Sequence, residues 1–243
     1  MKLRLQKVTK SVKRGGKSRC AVDNIDFTLR SGDRTALVAC RGGDAGLLCA
    51  MLAGTEKPDR GEIYREGTVS WPLPRAKFLP QVIAGGAAAR FVARIHGVDG
   101  DQYLKKILSI ADVKKFLPTK LKQWPPLQRG EFLAAMGISL DFDFYIIESN
   151  PIGRPQFMEN WKKAIRQLGK KRGFLIVASH PKHILDICDQ VYILDGNRLL
   201  HFSDVEGALE YCADFSGEDF RVKVNQERAD TEEEDEDAGM DLI

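Results

Sequence analysis

Short apolar runs recur along the chain in two patterns. Residues 34–39, 143–148, 173–179 and 190–194 are nearly continuous runs of Val, Ile, Leu, Phe and Tyr, which is typical of parallel strands buried on both faces. Residues 2–8 and 24–29 alternate or nearly alternate apolar and polar positions, and residues 61–66 resemble another strand. These three segments predict an antiparallel layer beside the parallel core, with residues 13–19 as a loop between the first two strands.

Helical periodicity fills the spaces between these runs. Residues 85–96, 101–110 and 127–140 look helical, and the Trp-Pro-Pro run at 124–126 prevents the third helix from starting earlier. Residues 155–170 carry a single apolar stripe formed by Phe157, Trp161, Ile165 and Leu168. Ser203 and Glu206 form a capping box that opens a helix through about residue 212. The predicted class is therefore α/β, with a parallel sheet core, an antiparallel β layer and a helical insertion at about residues 83–140.

Composition supports one folded domain with an appendage. The chain has 243 residues, of which 43% are hydrophobic, so we expect a domain over residues 1–220 and an acidic, disordered tail over residues 221–243. Residues 225–243 hold nine acids and one base, which leaves 36 basic and 25 acidic residues, a net charge of +11, on the rest. This basic body could attract anionic lipid or a polyanionic glycan, or simply form a solvated face.

Several classes of protein are disfavoured. The chain has no apolar run of the roughly 18–20 residues that span a bilayer, and its N-terminus does not resemble a signal peptide, so we expect a cytoplasmic protein. The sequence contains no nucleic-acid-binding motif, and no nucleic acid partner is expected. The five cysteines form no CxxC pair and are expected to be buried as small hydrophobes.

Several stretches together resemble the ATP-binding subunits of ABC transporters, and in particular the branch that powers export of capsular polysaccharide. The phrases around Trp71 and Phe91 are the ones specific to that branch. The matching stretches cover most of residues 1–212 and are 8–11, 24–33, 52–59, 61–63, 69–73, 89–99, 141–147, 178–180, 188–189 and 195–199. The resemblance implies a P-loop NTPase-like fold that uses ATP and Mg²⁺. It also implies a membrane permease and a second ATP-binding subunit as partners, in a homodimer or heterodimer on the inner face of the plasma membrane.

The phosphate-binding loop is where the chain departs from this family. A P-loop follows the pattern G-x-x-x-x-G-K-[ST], in which Lys pairs with the phosphates and the hydroxyl binds Mg²⁺. Here Ala39 and Asp44 replace the two glycines, and Ala45 replaces the lysine. The hydroxyl positions are Gly46 and Leu47, while Arg41, Gly42 and Gly43 complete the loop. Asp44 would repel a polyphosphate, and Arg41 is the candidate to lend a positive charge.

The other positions that the resemblance makes functional also depart from the family. Glu148 stands in place of the Mg²⁺-binding Asp, and Ser149 in place of the catalytic Glu, where a general base is worth about 10²–10⁴ in rate. The signature Ser-Gly aligns with Pro126 and Leu127, and the Q-loop glutamine aligns with Pro80, beside Gln81. The remaining matched positions are Val12 for the adenine-stacking aromatic and His180 for the switch histidine.

The concurrent changes predict an ATP-binding-cassette subunit of a polysaccharide export transporter that has lost hydrolysis. Such a subunit would act as a structural or regulatory partner of the transport complex. Two alternatives stay open. One is a soluble regulatory or scaffold protein of the export machinery, and the other is an active ATPase with unorthodox contacts.

Overall fold

A computed structural model describes residues 1–14, 16–149, 151–178, 188–203 and 205–213. His180 and the acidic tail lie outside these residues, so the predicted tail disorder and the division at residue 220 stay predictions. Along the chain the elements are β1 (Lys2–Arg14), β2 (Lys17–Arg30), β3 (Arg34–Cys40), α1 (Ala45–Ala53), β4 (Arg60–Arg65), α2 (Gly85–Ile95), α3 (Gly100–Ile110), α4 (Pro126–Ile138), β5 (Phe144–Ile147), α5 (Pro155–Leu168), β6 (Gly173–Ala178), β7 (Gln190–Asp195), β8 (Arg198–Phe202) and α6 (Val205–Ala213).

The four continuous apolar runs form the centre of a five-stranded sheet with the order β5-β6-β3-β7-β8. The pairs β5–β6, β3–β6 and β3–β7 are parallel, as expected for strands buried on both faces. Strand β8 adds an antiparallel edge. The sequence did not predict β8 as a strand, because its run of Leu199 and Leu200 is short and flanked by basic residues.

The three alternating segments form the predicted antiparallel layer, a separate sheet with the order β2-β1-β4. The prediction of a loop over residues 13–19 is wrong. The β1–β2 pairing continues to the hairpin tip, where Lys13 lies opposite Ser18 and Arg14 opposite Lys17. The tip is polar and basic, so apolar residues do not alternate there and the sequence pattern does not indicate strands.

Helix α1 lies in the apolar core between the two sheets. Its buried Leu48, Met51 and Leu52 pack in one cluster with Leu5 of β1 and Leu37 of β3. Arg65 of β4 donates from Nε to the carbonyl of Leu52, 2.9 Å away, and from Nη2 to the carbonyl of Met51, so it satisfies acceptors at the C-terminal end of the helix. Burial on both sides fixes where α1 begins and therefore where the preceding loop lies.

The other face of the five-stranded sheet is covered by helices. Phe157, Trp161 and Ile165 of α5 are buried in the second core cluster, and Leu168 packs against it, which confirms the predicted stripe. Helix α4 begins at Pro126, because proline is tolerated in the first turn. In the described part of the chain, no helix combines the length and the apolarity that crossing a bilayer requires.

Four of the five cysteines are buried as expected: Cys40, Cys49, Cys188 and Cys212. Cys20 is exposed, which corrects the prediction for that residue. It lies near the tip of the hairpin, where β2 has left the core and where residues 17–20 are all exposed.

An ion pair between a buried carboxylate and a partly exposed guanidinium joins α4 to the start of α5. The side chain of Glu131 is fully buried, and its carboxylate accepts from Arg154 Nη2 at 2.6 Å, from Arg154 Nε at 3.1 and 3.2 Å, and from the Arg154 backbone N–H at 2.8 Å. Arg154 also donates to the carbonyl of Asp112, 3.0 Å away. The pair ties the segment that follows β5 to α4.

Arg154→Met should lower the free energy of unfolding by about 3 kcal/mol, because it leaves the Glu131 carboxylate buried without its cation. The matched control is Arg166→Met on the exposed face of α5, where a change within about 0.5 kcal/mol is expected. Urea unfolding followed by circular dichroism measures both variants. Equal effects would show that the pair contributes nothing specific.

Candidate functional site

The degenerate P-loop lies between the end of β3 at Cys40 and the start of α1 at Ala45. Arg41 and Gly42 both have positive φ, +43° and +87°, and the Gly43 backbone N–H donates to the carbonyl of Cys40 at 2.8 Å. A Cβ on Gly43 would lie 2.3 Å from the backbone oxygen of Leu194, so only glycine fits there. The loop thus keeps the tight turn of a phosphate-binding loop although its charged residues are changed.

Asp44 caps the N-terminus of α1 with its own carboxylate. The Asp44 Oδ1 atom accepts from the backbone N–H of Leu47 at 2.8 Å. The first turn of a helix has unpaired N–H groups and a partial positive charge, and these are the groups that bind a phosphate in a P-loop. An internal anion therefore uses a donor that a nucleotide would need.

Glu148 brings a second carboxylate to the same end of α1. A Cβ added at Gly46 would lie 3.0 Å from Glu148 Oε1 and 3.7 Å from Asp44 Oδ1. Glu148 also forms an ion pair with Arg75, with Nη1 3.4 Å from Oε1. Burial raises the pKa of the Cys49 thiol in α1, and the nearby Glu148 and Asp44 carboxylates raise it further. Two carboxylates thus lie at the helix start, and Asp44 is the one that directly opposes a polyphosphate, since Glu148 is paired with Arg75.

Arg41, the expected source of positive charge, is paired with the end of β7. Its guanidinium donates through Nε and Nη2 to the two carboxylate oxygens of Asp195, and Nη2 lies 3.1 Å from the hydroxyl of Tyr211. Tyr211 in turn donates to Asp195 at 2.8 Å. This hydrogen bonding by Arg41 holds the pKa of the Asp195 carboxyl below its usual range. The charge of Arg41 is therefore neutralised within the chain.

The β1–β2 hairpin forms one wall beside the loop. Arg19 Nη1 donates to the carbonyl of Gly42 at 2.8 Å, and Val12, at the adenine-contact position, lies directly opposite Arg19 in the strand pairing. Val12 is half-buried. An aliphatic side chain at this position offers no aromatic face for a base to stack on.

The remaining predicted positions are spread around the loop or away from it. Ala39 is half-buried near the end of β3, and Ser149 is half-buried after β5 with its backbone N–H 3.4 Å from the carbonyl of Leu73. Pro126 is the first residue of α4, and Leu127 is 38% exposed. Pro80 and Gln81 are exposed, with the Gln81 carbonyl accepting from the Lys122 N–H at 2.9 Å.

Sequence reasoning missed the residues that neutralise the site. Arg75, Asp195 and Tyr211 come from three distant parts of the chain and meet only in the fold. The strand end at Asp195 was visible in the sequence, and a parallel sheet brings the carboxyl ends of its strands to one edge. No sequence signal indicates that Arg75 pairs with Glu148.

No family model matches the chain, but individual proteins do. The ATP-binding protein BexA of Haemophilus influenzae is 25% identical over 86% of this chain and 97% of its own length. The capsule polysaccharide export ATP-binding protein CtrD of Neisseria meningitidis is 24% identical over 79% and 90%. The polysialic acid transport ATP-binding protein KpsT of Escherichia coli is 20% identical over 86% and 95%.

Solved structures match the whole fold. A dimeric bacterial ABC transporter cassette, MJ0796, superposes with a TM-score of 0.67 at 12% identity, covering 82% of this chain and 98% of its own. A nucleotide-free ATP-binding cassette gives 0.66 at 14% identity, covering 86% and 96%. The fold is that of an ABC ATPase cassette. The resemblance to ATP-binding proteins of capsule and polysaccharide export is confirmed by the relatives, and this cassette carries an acidic, self-capped loop.

Asp44→Ala should lower the stability of this cassette by about 1 kcal/mol, because the N-terminus of α1 loses its cap. Asp44→Ser is the matched control, since serine also caps helices and should retain most of the stability. Thermal unfolding measures both. If alanine and serine destabilise equally, the cap seen between Asp44 and Leu47 contributes no stability.

Proposed function

We propose that this protein is an ATP-binding-cassette subunit of a capsule polysaccharide export transporter, that it does not hydrolyse ATP, and that it serves the transport complex as a structural or regulatory partner. The observation that carries the loss of activity is the Asp44 carboxylate on the α1 N-terminus. The coverage of relatives that are ATP-binding proteins of export systems supports the transporter assignment.

Three features of the loop act together against nucleotide. Asp44 uses a helix N–H, the Glu148 carboxylate lies near Gly46 and is paired with Arg75, and Arg41 is held by Asp195. A triphosphate would have to displace one carboxylate and approach another without the lysine that the family uses. The Asp44 carboxylate is part of the chain, so it binds the helix N–H without losing translational and rotational freedom. A nucleotide that competes for this N–H must lose that freedom on binding.

The positions that perform chemistry in the family are also unsuited to it here. Ser149 cannot accept a proton from water at neutral pH, and Pro126 has no backbone N–H to offer a phosphate across a dimer. ATP and Mg²⁺ are therefore cofactors of the family rather than of this subunit. Loss at both positions explains why repairing the P-loop alone is not expected to restore turnover.

An exposed apolar surface is the candidate permease-docking site. On α2 and the segments that flank it in sequence, Phe78, Val82, Phe91, Ile95 and Val98 are between 40% and 59% exposed. Phe91 and Ile95 are one helical turn apart on α2 and thus share a face. A group of exposed large apolar side chains on a folded protein is typical of an interaction surface.

Aromatic contacts support the same surface from beneath. Trp71 packs against Phe78 with ring centroids 5.1 Å apart and against His96 at 6.1 Å. In the described part of the chain its buried indole N–H has no hydrogen-bond acceptor. Arg90 and Arg94 of α2 are exposed beside the apolar face. A permease segment with apolar and acidic side chains fits this surface.

This assignment locates the protein on the inner face of the plasma membrane, bound peripherally through its permease. A second ATP-binding subunit completes the complex. The alternative of a soluble regulatory protein of the export machinery would use the same apolar surface for a different partner. Isolation with only soluble partners would favour that alternative.

Mg-ATP binding tests the loss of activity. Isothermal titration calorimetry of the unmodified chain should show no saturable binding below about 1 mM, which is weaker than about −4 kcal/mol. Ala45→Lys with Gly46→Ser should also fail to bind or hydrolyse, because the Asp44 carboxylate remains on the helix N-terminus. Adding Asp44→Gly should permit binding, still without phosphate release, because Ser149 and Pro126 remain.

The control for added charge is Ala87→Lys on the exposed face of α2, which should gain no nucleotide binding. Micromolar binding by the unmodified chain, or steady phosphate release by the double variant, would overturn the proposed loss of activity. Circular dichroism confirms that each variant remains folded.

The docking surface is tested by co-purification with the permease. Phe91→Ser with Ile95→Ser should weaken binding to the permease by at least about thirtyfold and so sharply reduce its recovery, since two central apolar anchors at roughly 1–2 kcal/mol each contribute about 2–4 kcal/mol. Tyr64→Ser is the matched control, because Tyr64 is 44% exposed but lies on β4 of the other sheet. Equal recovery with all three proteins would show that α2 is not the docking face.

A further inference from the structure

A cavity lies among the helices, apart from the P-loop. It has a volume of about 490 Å³ and is enclosed by α3, by α5 and by the C-terminal end of α4 with the residues that follow it. The described residues that line it include none of the loop positions 39–47. Pockets of this size commonly hold small molecules. The cavity is therefore a binding site to be considered separately from the nucleotide position.

One face of α5 and one face of α3 supply most of the polar groups of this cavity. Asn160, Lys163 and Gln167 of α5 line it, at the spacing i, i+3 and i+7 that places side chains on one face of a helix. Lys106 and Ser109 of α3 line it as well, three residues apart. Amide, hydroxyl and ammonium groups from two helices thus share one space.

The two lysines bring positive charge that no carboxylate offsets. Within the part of the chain that the structure describes, no carboxylate oxygen lies within 4.0 Å of the ammonium group of Lys106 or Lys163. Asp141 is the acidic residue among the described lining residues, and it is paired with Arg172. Residues 101–172 hold 14 basic and 7 acidic residues, so the surrounding segment also favours the approach of an anion.

The C-terminal end of α4 contributes groups that suit hydroxyls rather than a negative charge. A helix C-terminus leaves carbonyl oxygens without intrahelical partners, and Asp141 adds carboxylate oxygens to the same wall. Ser139 also lines the cavity and is 8% exposed, and its hydroxyl has no hydrogen-bond partner among the described residues. A ligand that fits should therefore carry hydroxyl groups as well as one anionic group.

Hydrogen bonds hold the walls of the cavity in place without a ligand. Asn160 Nδ2 donates to the carbonyl of Ile110, 3.3 Å away, and so ties α5 to the end of α3. The Tyr103 hydroxyl donates to the carbonyl of Met136 at 2.7 Å and ties α3 to α4. The buried Ile110 and Ile138 give the cavity an apolar part. A preformed cavity that combines apolar surface with a few placed polar groups is typical of a small-molecule site.

We propose that this cavity binds an acidic sugar, a monosaccharide unit that carries one carboxylate and several hydroxyls. The carboxylate pairs with Lys106 and Lys163, and the hydroxyls bond to Asn160, Gln167 and the acceptors at the end of α4. Binding of this kind does not involve the P-loop and does not depend on the proposed loss of ATP hydrolysis. An acidic unit of an exported polysaccharide belongs to this ligand class, and that link alone rests on the proposed function.

Titration of the full-length chain with glucuronate, followed by amide NMR shifts, tests the site. The shifts should saturate with a Kd in the millimolar range, the strength expected of a ligand with about a dozen non-hydrogen atoms. Glucose lacks the carboxylate and inorganic phosphate lacks the sugar hydroxyls, so each should bind at least about tenfold more weakly. No saturable binding of glucuronate up to about 20 mM would overturn the proposal. Equal binding of glucose or of phosphate would overturn the assignment to an acidic sugar.

A matched pair of double variants assigns the binding to this cavity. Lys106→Gln with Lys163→Gln should weaken glucuronate binding at least about tenfold. Lys105→Gln with Lys162→Gln removes the same charge from adjacent, exposed positions of the same helices that do not line the cavity, and should change binding less than about twofold. Gln167→Glu should also weaken binding at least about tenfold, because it places a carboxylate one helical turn from Lys163.

Circular dichroism shows whether each variant remains folded. Equal losses in the two double variants would mean that glucuronate responds only to the charge of the surface, which would overturn the cavity as its site. Unchanged binding by the variant without Lys106 and Lys163 would overturn it as well.

Discussion

The N-terminus of α1 is where the buried scaffold meets the phosphate-binding loop. A helix buried between two sheets has unpaired backbone N–H groups at its N-terminus, and these groups need an acceptor. In a P-loop protein that acceptor can be a phosphate, and here it is the Asp44 carboxylate, 2.8 Å from the Leu47 nitrogen. In the proposed function the chain supplies its own anion, so the lysine and the hydroxyl of the family's P-loop would have no phosphate to bind here. A loop that binds no phosphate is consistent with Ala45 and Gly46 at the lysine and hydroxyl positions, and with the pairing of Arg41 within the chain.

The fold persists because most of its stability comes from residues outside the loop. The four residues of β5 are fully or almost fully buried, and Glu148 and Ser149 follow only after the strand has ended. The apolar residues of α1 pack against both sheets whatever occupies the loop. The Glu131–Arg154 pair positions the segment after β5 without a ligand. Replacement of site residues therefore leaves the core intact.

Much of the fold was predictable because burial leaves a periodic trace in the sequence. The parallel strands and the α5 stripe of Phe157, Trp161 and Ile165 were visible for that reason. The hairpin extension through Lys13 and Lys17 was not, because a strand exposed on both faces has no apolar alternation. In the site, each replacement of a family residue could be identified from the sequence alone. The pairing of Arg41 with Asp195 and of Arg75 with Glu148 depends on tertiary geometry that spacing does not encode.

Each end of α1 has a hydrogen-bond partner within the chain, Asp44 at the start and Arg65 at the end. A protein that binds a ligand only when folded gains stability with ligand concentration. Under the proposed loss of nucleotide binding, this cassette would have no such coupling. Its folded population, and hence its lifetime against proteolysis, would stay constant when the energy charge of the cell falls.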